Sequence, residues 1–457
     1  MSDVLAASPL VLLLCGALLL LLVDKFSFWI GSATFLAALF AAYFAPASTH
    51  PLLTPWLVFD GASRGFTCAF LTIGLACSWL AAPFFRRLSS LPEAEFYFFL
   101  IAATSGLILI GMSADFLTLF LGVETLSLSL YVLCAYVKGW TRSSEASIKY
   151  FFMGSLGAAF LLYGIALLYG AMGTTRFDEL AAKVPLLAGA DLALFWGGIA
   201  FITLALAFEA AIVPFQVWAP DVYEGASNPV TAFMAVGTKV GAFAAFYRVF
   251  LFSLPKFNLL WNEGVALLAF LTLIWANFVA MRQTQLRRFF AYSGIAHAGF
   301  LLLPLVAGTP DAFEALFFYL VVYALATLAC FSILSFLDTS EAGVQLQDLS
   351  GLFWRSPFLA TTLAFALLTL AGIPPTIGFF AKLYVLKTAF AAGYRALVIT
   401  ALLTSLLAAY YYLRFVVALF SNVGDKEPLS YPWTSLILSI GALALLVVLW
   451  LFPGSVF

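Results

Sequence analysis

Six ionisable residues stand inside otherwise apolar stretches of this chain, and their types suit the handling of protons. Glu124 sits in Phe120-Leu121-Gly122-Val123-Glu124-Thr125-Leu126-Ser127-Leu128, and Lys149 lies four residues after Glu145 near the start of the next apolar run. Glu209 precedes Ala210-Ala211-Ile212-Val213-Pro214-Phe215, Lys239 and His297 are central to two later runs, and Lys382 follows Gly378-Phe379-Phe380-Ala381. Desolvation favours the neutral form of a lysine and a nearby carboxylate favours the charged form, so a movement of the partner can load or release a proton. An imidazole titrates near neutrality and can accept on one nitrogen while donating from the other. Blander readings stand beside this one. Glu145 and Lys149 at i,i+4 suit a surface helix pair, His297 suits a packing histidine, and the lysines suit structural ion pairs. Arg414, after Tyr410-Tyr411-Tyr412 near the end of a run, is expected to snorkel to an interface.

The elements that must position these groups are membrane helices. Of 457 residues, 64% are hydrophobic and 9% charged, against about 25% charged in a soluble domain. Apolar runs of roughly 20 residues, enough to cross a bilayer, recur along the whole chain. A charge at the bilayer centre costs at least ~2.5–3.5 kcal/mol, which makes each of the six a functional candidate. The net charge of -1 offers no basic surface for nucleic acid, and no stretch is long enough for a separate nucleotide-binding lobe. Cys15, Cys68, Cys77, Cys134 and Cys330 form no C-x-x-C pair and read as small core hydrophobes. With two histidines and no glycine-rich phosphate loop, no bound metal or redox cofactor is expected. The first apolar stretch, without a basic n-region, reads as a retained span.

The expected fold is an all-α polytopic membrane protein of about fourteen transmembrane helices in one domain, 1–457. The seventh span, 192–213, and the twelfth, 357–390, should each be split into half-helices by Val213-Pro214 with Trp218-Ala219-Pro220 and by Gly372-Ile373-Pro374-Pro375, because proline removes a donor and clashes with the preceding turn. Breaks five spans apart suggest two five-helix repeats, 94–250 and 258–420, with flanking helices in 1–84 and 433–457. Five is odd, so the repeats should be inverted in the membrane. Loops and span ends reached by odd spans hold ten basic residues, Lys25, Arg86, Arg87, Lys138, Arg142, Arg282, Arg287, Arg288, Arg355 and Lys426, and those reached by even spans hold seven, Arg64, Arg176, Lys183, Arg248, Lys256, Lys387 and Arg395, a modest bias. The positive-inside rule then puts both termini on the periplasmic side.

Several segments resemble a known family, the antiporter-like membrane subunits of proton-pumping NADH-quinone oxidoreductase (respiratory complex I), and within it subunit N. They are Val123-Glu124-Thr125 to Tyr131, Lys149-Tyr150-Phe151, Val213-Pro214-Phe215 through Trp218-Ala219-Pro220-Asp221-Val222-Tyr223-Glu224-Gly225-Ala226, Ala291-Tyr292-Ser293-Gly294-Ile295-Ala296-His297-Ala298-Gly299, and Gly372-Ile373-Pro374-Pro375 to Lys382. The resemblance implies discontinuous helices seven and twelve and a charged axis halfway across the membrane. It implies a non-redox translocase subunit of the bacterial inner membrane that moves protons, coupled to NADH oxidation and quinone reduction elsewhere. NAD, FMN, iron-sulfur clusters and quinone would belong to other parts of the complex, and the partners would be subunits of the M, K and J types and the lipid bilayer. By position, Glu124 matches the family's key glutamate, Lys149 its helix-six lysine, Lys239 its helix-eight lysine, Lys382 its helix-twelve lysine and His297 its central histidine. One match fails: where the family pattern F-K-x-x-x-V-P-F has lysine, this chain has Glu209. A second carboxylate replaces attraction to Glu124 with repulsion. Glu209 then serves as the protonatable group, Lys149 or Lys239 re-pairs with Glu124, or this half no longer pumps. The alternatives for the whole chain are a subunit of a multisubunit Na+/H+ antiporter and a non-pumping spacer of complex I.

Overall fold

Apolar sequence with no solvent to bond its backbone must bond internally, and among the described residues the chain is helical with no strand. The computed structural model describes residues 2–47, 55–88, 91–254, 258–338, 340–421 and 432–451. Lys256 and Lys426, counted in the loop bias, lie outside them.

The first helices are α1 (Ser2–Leu22), α2 (Ser27–Phe44), α3 (Gly61–Arg87), α4 (Glu93–Met112), α5 (Phe116–Cys134) and α6 (Thr141–Met172). A short α7 (Phe177–Lys183) leads to α8 (Gly189–Glu209) and the half-helix α9 (Trp218–Gly225). Next, α10 (Asn228–Phe233) and α11 (Lys239–Phe246) are joined by a π-helical turn, Met234–Thr238, and a second such turn follows at Tyr247–Phe252. The rest are α12 (Asn258–Ala280), α13 (Leu286–Ala307), α14 (Ala312–Leu337), the short α15 (Leu352–Arg355), the half-helices α16 (Pro357–Ala371) and α17 (Ile377–Ala391), α18 (Arg395–Phe420) and α19 (Trp433–Leu451).

Among the described residues thirteen helical stretches, with Asn228–Phe252 counted as one, are long and apolar enough to cross a membrane. The pair α16 and α17 stands where the sequence places its twelfth span, and the count of about fourteen is met. Both breaks are present. The first comes earlier than expected: α8 stops at Glu209, not at residue 213, because Ala211 adopts a left-handed backbone (φ 55°) two residues ahead of Val213. Many hydroxyl side chains inside the spans are satisfied within their own helix, as where Thr104 Oγ1 donates to the Leu100 carbonyl at 2.8 Å. Of the cysteines, Cys77, Cys134 and Cys330 are buried, whereas Cys15 is exposed on α1 and is no core residue.

The chain divides into two compact units. The first contains Met1–Ser78, Ser89–Ala211 and Gly237–Asn258. Within it α6 and α8 meet backbone to backbone: a Cβ on Gly198 would lie 2.9 Å from the Gly164 carbonyl, and one on Gly164 equally close to that of Gly198. Arg248 is fully buried, with Nη1 and Nη2 each 2.8 Å from the Asp60 carboxylate and Nε donating to the Gly111 carbonyl at 2.9 Å. Ser63 adds a backbone donor to Asp60 at 2.7 Å. Burial pushes the Asp60 carboxyl up, but the Arg248 hydrogen bond and charge and the Ser63 donors outweigh it and hold the group below its ordinary value of 3.8. Its stabilisation is therefore complete above pH 3.8 and is lost as pH falls through the lower folded-state value. Asp60→Asn leaves a buried guanidinium without its counter-charge, an expected cost of about 3 kcal/mol. Thermal unfolding in detergent checks this: the variant should melt lower than wild type at pH 7, and the gap should close in strong acid.

The second unit contains Trp79–Leu88, Ile212–Val236 and Leu259–Phe457. Buried Arg287 ties its loops together: Nη1 donates to the carbonyls of Glu224 (2.9 Å) and Ala226 (2.6 Å), and Nη2 pairs with Asp338 at 3.1 Å. Arg414 does not simply snorkel. It donates to the carbonyls of Met281 (2.9 Å) and Gln283, just beyond the end of α12, where a cation complements the helix dipole.

Candidate functional site

In the first unit Glu124, Ser127 and Tyr131 share one face of α5, at the i, i+3, i+7 spacing of a helical stripe. Glu209, at the last turn of α8, is buried; the Ser127 hydroxyl hydrogen-bonds its carboxyl, and Glu124 lies close enough to repel it. Glu124 itself is half-buried. The two carboxyls are thus brought together. Lys149 is not drawn into that core: it sits on an exposed face of α6 in an ion pair with Glu145 at 2.8 Å, the side chains 44% and 63% exposed.

Lys239 opens α11 straight after the π-helical turn and is buried. The sequence suggests a carboxylate partner for it. The structure gives instead the Ala210 carbonyl, to which Nζ donates at 3.2 Å; among the described residues no carboxylate is within ion-pair distance. Ala210 caps α8 at the break, so the ammonium meets the negative end of a helix dipole.

The second unit repeats this device. Lys382 is buried on α17 and donates to the carbonyl of Ala371, the last residue of α16, at 2.7 Å, and to Ser405 Oγ at 3.2 Å. Its Nζ also lies 4.9 Å from the centre of the Phe300 ring. The two breaks align in register, Ala210-Ala211-Ile212-Val213-Pro214 with Ala371-Gly372-Ile373-Pro374-Pro375. The left-handed residues Ala211 (φ 55°) and Gly372 (φ 73°) coincide in that alignment. A Cβ on Gly372 would lie 2.6 Å from Cδ of Lys382.

His297 is buried on α13, with Nδ1 2.9 Å from the Tyr319 hydroxyl and Nε2 3.2 Å from that of Tyr412. His297, Tyr319, Tyr323, Thr369 and Lys382 line a cavity of about 10 Å³ as measured at water centres, roughly the room one water needs. Sequence reasoning misses both tyrosines, because a tyrosine in an apolar span signals packing or an interface as readily as a relay. The Pro220-Asp221-Val222-Tyr223-Glu224-Gly225 segment proves to be an anchor: Arg288 binds Asp221 at 2.8 Å and Glu224 at 2.9 Å, fixing α9 to α13.

The family model described as NADH:quinone oxidoreductase/Mrp antiporter, transmembrane, matches residues 113–408. NADH-quinone oxidoreductase subunit N of Protochlamydia amoebophila is 52% identical over 99% of this chain and 96% of its own length. A chain of respiratory complex I from Thermus thermophilus, solved with bound aureothin, superposes with a TM-score of 0.84 at 33% identity over 98% of both chains. A chain of the Mrp complex from Dietzia sp. shares the fold, with a TM-score of 0.82 at 20% identity over 98% of this chain and 94% of its own. A relative of this identity and coverage leaves one assignment: the chain belongs to the NADH-quinone oxidoreductase subunit N family of antiporter-like membrane proteins.

Proposed function

We propose that this chain is the non-redox, proton-translocating part of the enzyme its family builds, with Glu124, Glu209, Lys239, His297 and Lys382 as its proton-handling groups and Lys149, on an open face of α6, at the margin of the relay. The observation that carries this reading is the repeated one: each unit buries a lysine against the last carbonyls of a broken helix, at 3.2 Å for Lys239 and 2.7 Å for Lys382. An ammonium held by carbonyls and no carboxylate gives up its proton without leaving an unpaired anion behind, which suits a transfer site better than a structural ion pair.

NAD, FMN, iron-sulfur clusters and quinone are assigned to other subunits, since the sequence carries no paired cysteines and no nucleotide-binding loop. Partners of the M, K and J types complete the membrane arm in a bacterial inner membrane, and the basic loops at Arg86-Arg87 and Arg282 to Arg288 face the cytoplasm, with both termini periplasmic.

Purification through a tag on this chain tests the assignment. The preparation should contain an NADH-oxidising arm and acidify proteoliposomes on addition of NADH and a quinone. Sodium-dependent antiport in a preparation without that arm would make it an antiporter subunit. A thiol placed at the exposed Arg282 should react with an impermeant reagent from the cytoplasmic side only; labelling from the periplasm reverses the orientation.

A further inference from the structure

The two nitrogens of His297 face different surroundings. Nδ1 meets Tyr319, which with His297 and Lys382 lines the small cavity. Nε2 meets Tyr412 of α18, which is not among the residues lining it. The Tyr412 hydroxyl in turn hydrogen-bonds Ser293, one helical turn before His297 on α13. All four groups are buried. Resting on the proton-translocating function above, we propose that Tyr412 is a relay residue: protons enter at Ser293 and pass through Tyr412, His297 and Tyr319 to the cavity, a branch that reaches Lys382 from the N-terminal end of α13.

A neutral imidazole has one donor and one acceptor nitrogen, so between two phenols it imposes a direction on the whole chain. In one state the Ser293 hydroxyl donates to the Tyr412 oxygen, the Tyr412 hydroxyl donates to Nε2, and Nδ1–H donates to the Tyr319 oxygen. A proton arriving from the N-terminal end of α13 bonds to Ser293 Oγ as that oxygen's own proton moves to the Tyr412 oxygen, whose former proton moves to Nε2. The Nδ1–H bond breaks and its proton bonds to the Tyr319 oxygen, whose former proton passes into the cavity to a water beside Lys382. One proton enters, one leaves, and no electrons move. His297 ends as the opposite tautomer, so the three hydroxyls and the ring must reset before the next transfer. A structural role for Tyr412 needs none of this polarity. The rings around it, Phe289 at 5.4 Å and Tyr411 at 4.9 Å between centres, would hold a phenylalanine equally well. Ser293 lies about two turns, ~10 Å, inside the start of α13 at Leu286, near Arg287 and Arg288.

Tyr412→Phe in the whole complex is the test, because it keeps the ring and removes the hydroxyl. NADH-driven acidification in proteoliposomes should fall about tenfold, the low side of what a positioned proton-transfer group contributes, while NADH oxidation by an artificial acceptor stays at the wild-type rate. Added to His297→Gln, the same substitution should cause no further loss. In the full chain labelled with ring-15N histidine, His297 is read apart from the only other histidine by His50→Gln. Tyr412→Phe and Tyr319→Phe should each move both ring-nitrogen signals, in opposite senses, because losing either phenol shifts the tautomer balance that couples the two nitrogens. Wild-type pumping by Tyr412→Phe, with His297→Gln and Lys382→Ala impaired, overturns the branch and leaves the proposed function standing. Wild-type pumping by all three overturns the proposed function itself. An additive loss in the double variant makes Tyr412 a packing residue and likewise overturns the branch.

Discussion

Lys239→Ala and Lys382→Ala are each expected to lower NADH-driven proton pumping by about tenfold or more, with the coupled quinone reductase rate falling alongside and NADH oxidation by an artificial acceptor unchanged. Each lysine is buried and donates to the last carbonyls of a half-helix. Alanine deletes the titrating group and leaves a carbonyl unsatisfied in a low-dielectric site, a local penalty of about 1–3 kcal/mol that a many-helix bundle survives. Assembly should therefore persist while transport fails. Lys149→Ala is the internal contrast. Its ammonium is exposed and paired with Glu145 four residues away, so it should cost far less. Gly372→Ala should mimic Lys382→Ala without touching the charge: the left-handed backbone at φ 73° strains any side chain by ~1–3 kcal/mol, and the new Cβ would press on Lys382 Cδ at 2.6 Å and move the ammonium off Ala371. Proteoliposome acidification beside quinone reduction reads all four variants. Undiminished pumping by the double lysine variant would remove both residues from the proton path.

Proline chemistry made the two breaks legible in advance, and the rarity of charge in apolar runs singled out Glu209, Lys239, His297 and Lys382, all of which are buried. What each buried group touches was not legible. The carbonyls of Ala210 and Ala371 carry no signature in a sequence, because every residue has one; only the fold decides which carbonyl ends a helix beside a lysine. The run Ala-Ala-Ile-Val-Pro against Ala-Gly-Ile-Pro-Pro can be seen once the breaks are aligned, but not its consequence, since that requires the left-handed backbone at Ala211 and Gly372. Arg248 reads as a loop residue at the end of the eighth span. Its burial depends on Asp60, far away in the chain, and pairs at that separation leave no periodic trace. Lys149 was legible in two ways, as a buried lysine of an apolar run or as the partner of Glu145 four residues earlier, and the open face of α6 decides for the surface pair.

Glu209→Gln should leave assembly intact and cut pumping to about a tenth, because the proton it can no longer lose is one that moves in turnover. The site contains two carboxyls, Glu124 half-buried on α5 and Glu209 buried on α8, with Ser127 bonded to Glu209. Like charges in a site that is partly shut off from water repel, so the pair is expected to hold one proton between them. Lys239 does not relieve this repulsion; its ammonium is committed to Ala210. Glutamine copies the neutral acid in shape and keeps the bond to Ser127, so packing alone gives no reason for failure. Glu209→Lys replaces repulsion with attraction to Glu124 and restores the residue its relatives' pattern has at this position; it should assemble and recover more pumping than Glu209→Gln. Infrared difference spectra supply a reading independent of transport: wild type should show the carbonyl stretch of one protonated carboxyl, and Glu209→Gln should lose it. If both carboxyls are ionised at pH 7, or if glutamine prevents assembly, no proton is shared and Glu209 is instead an anion whose counter-charge holds the first unit together.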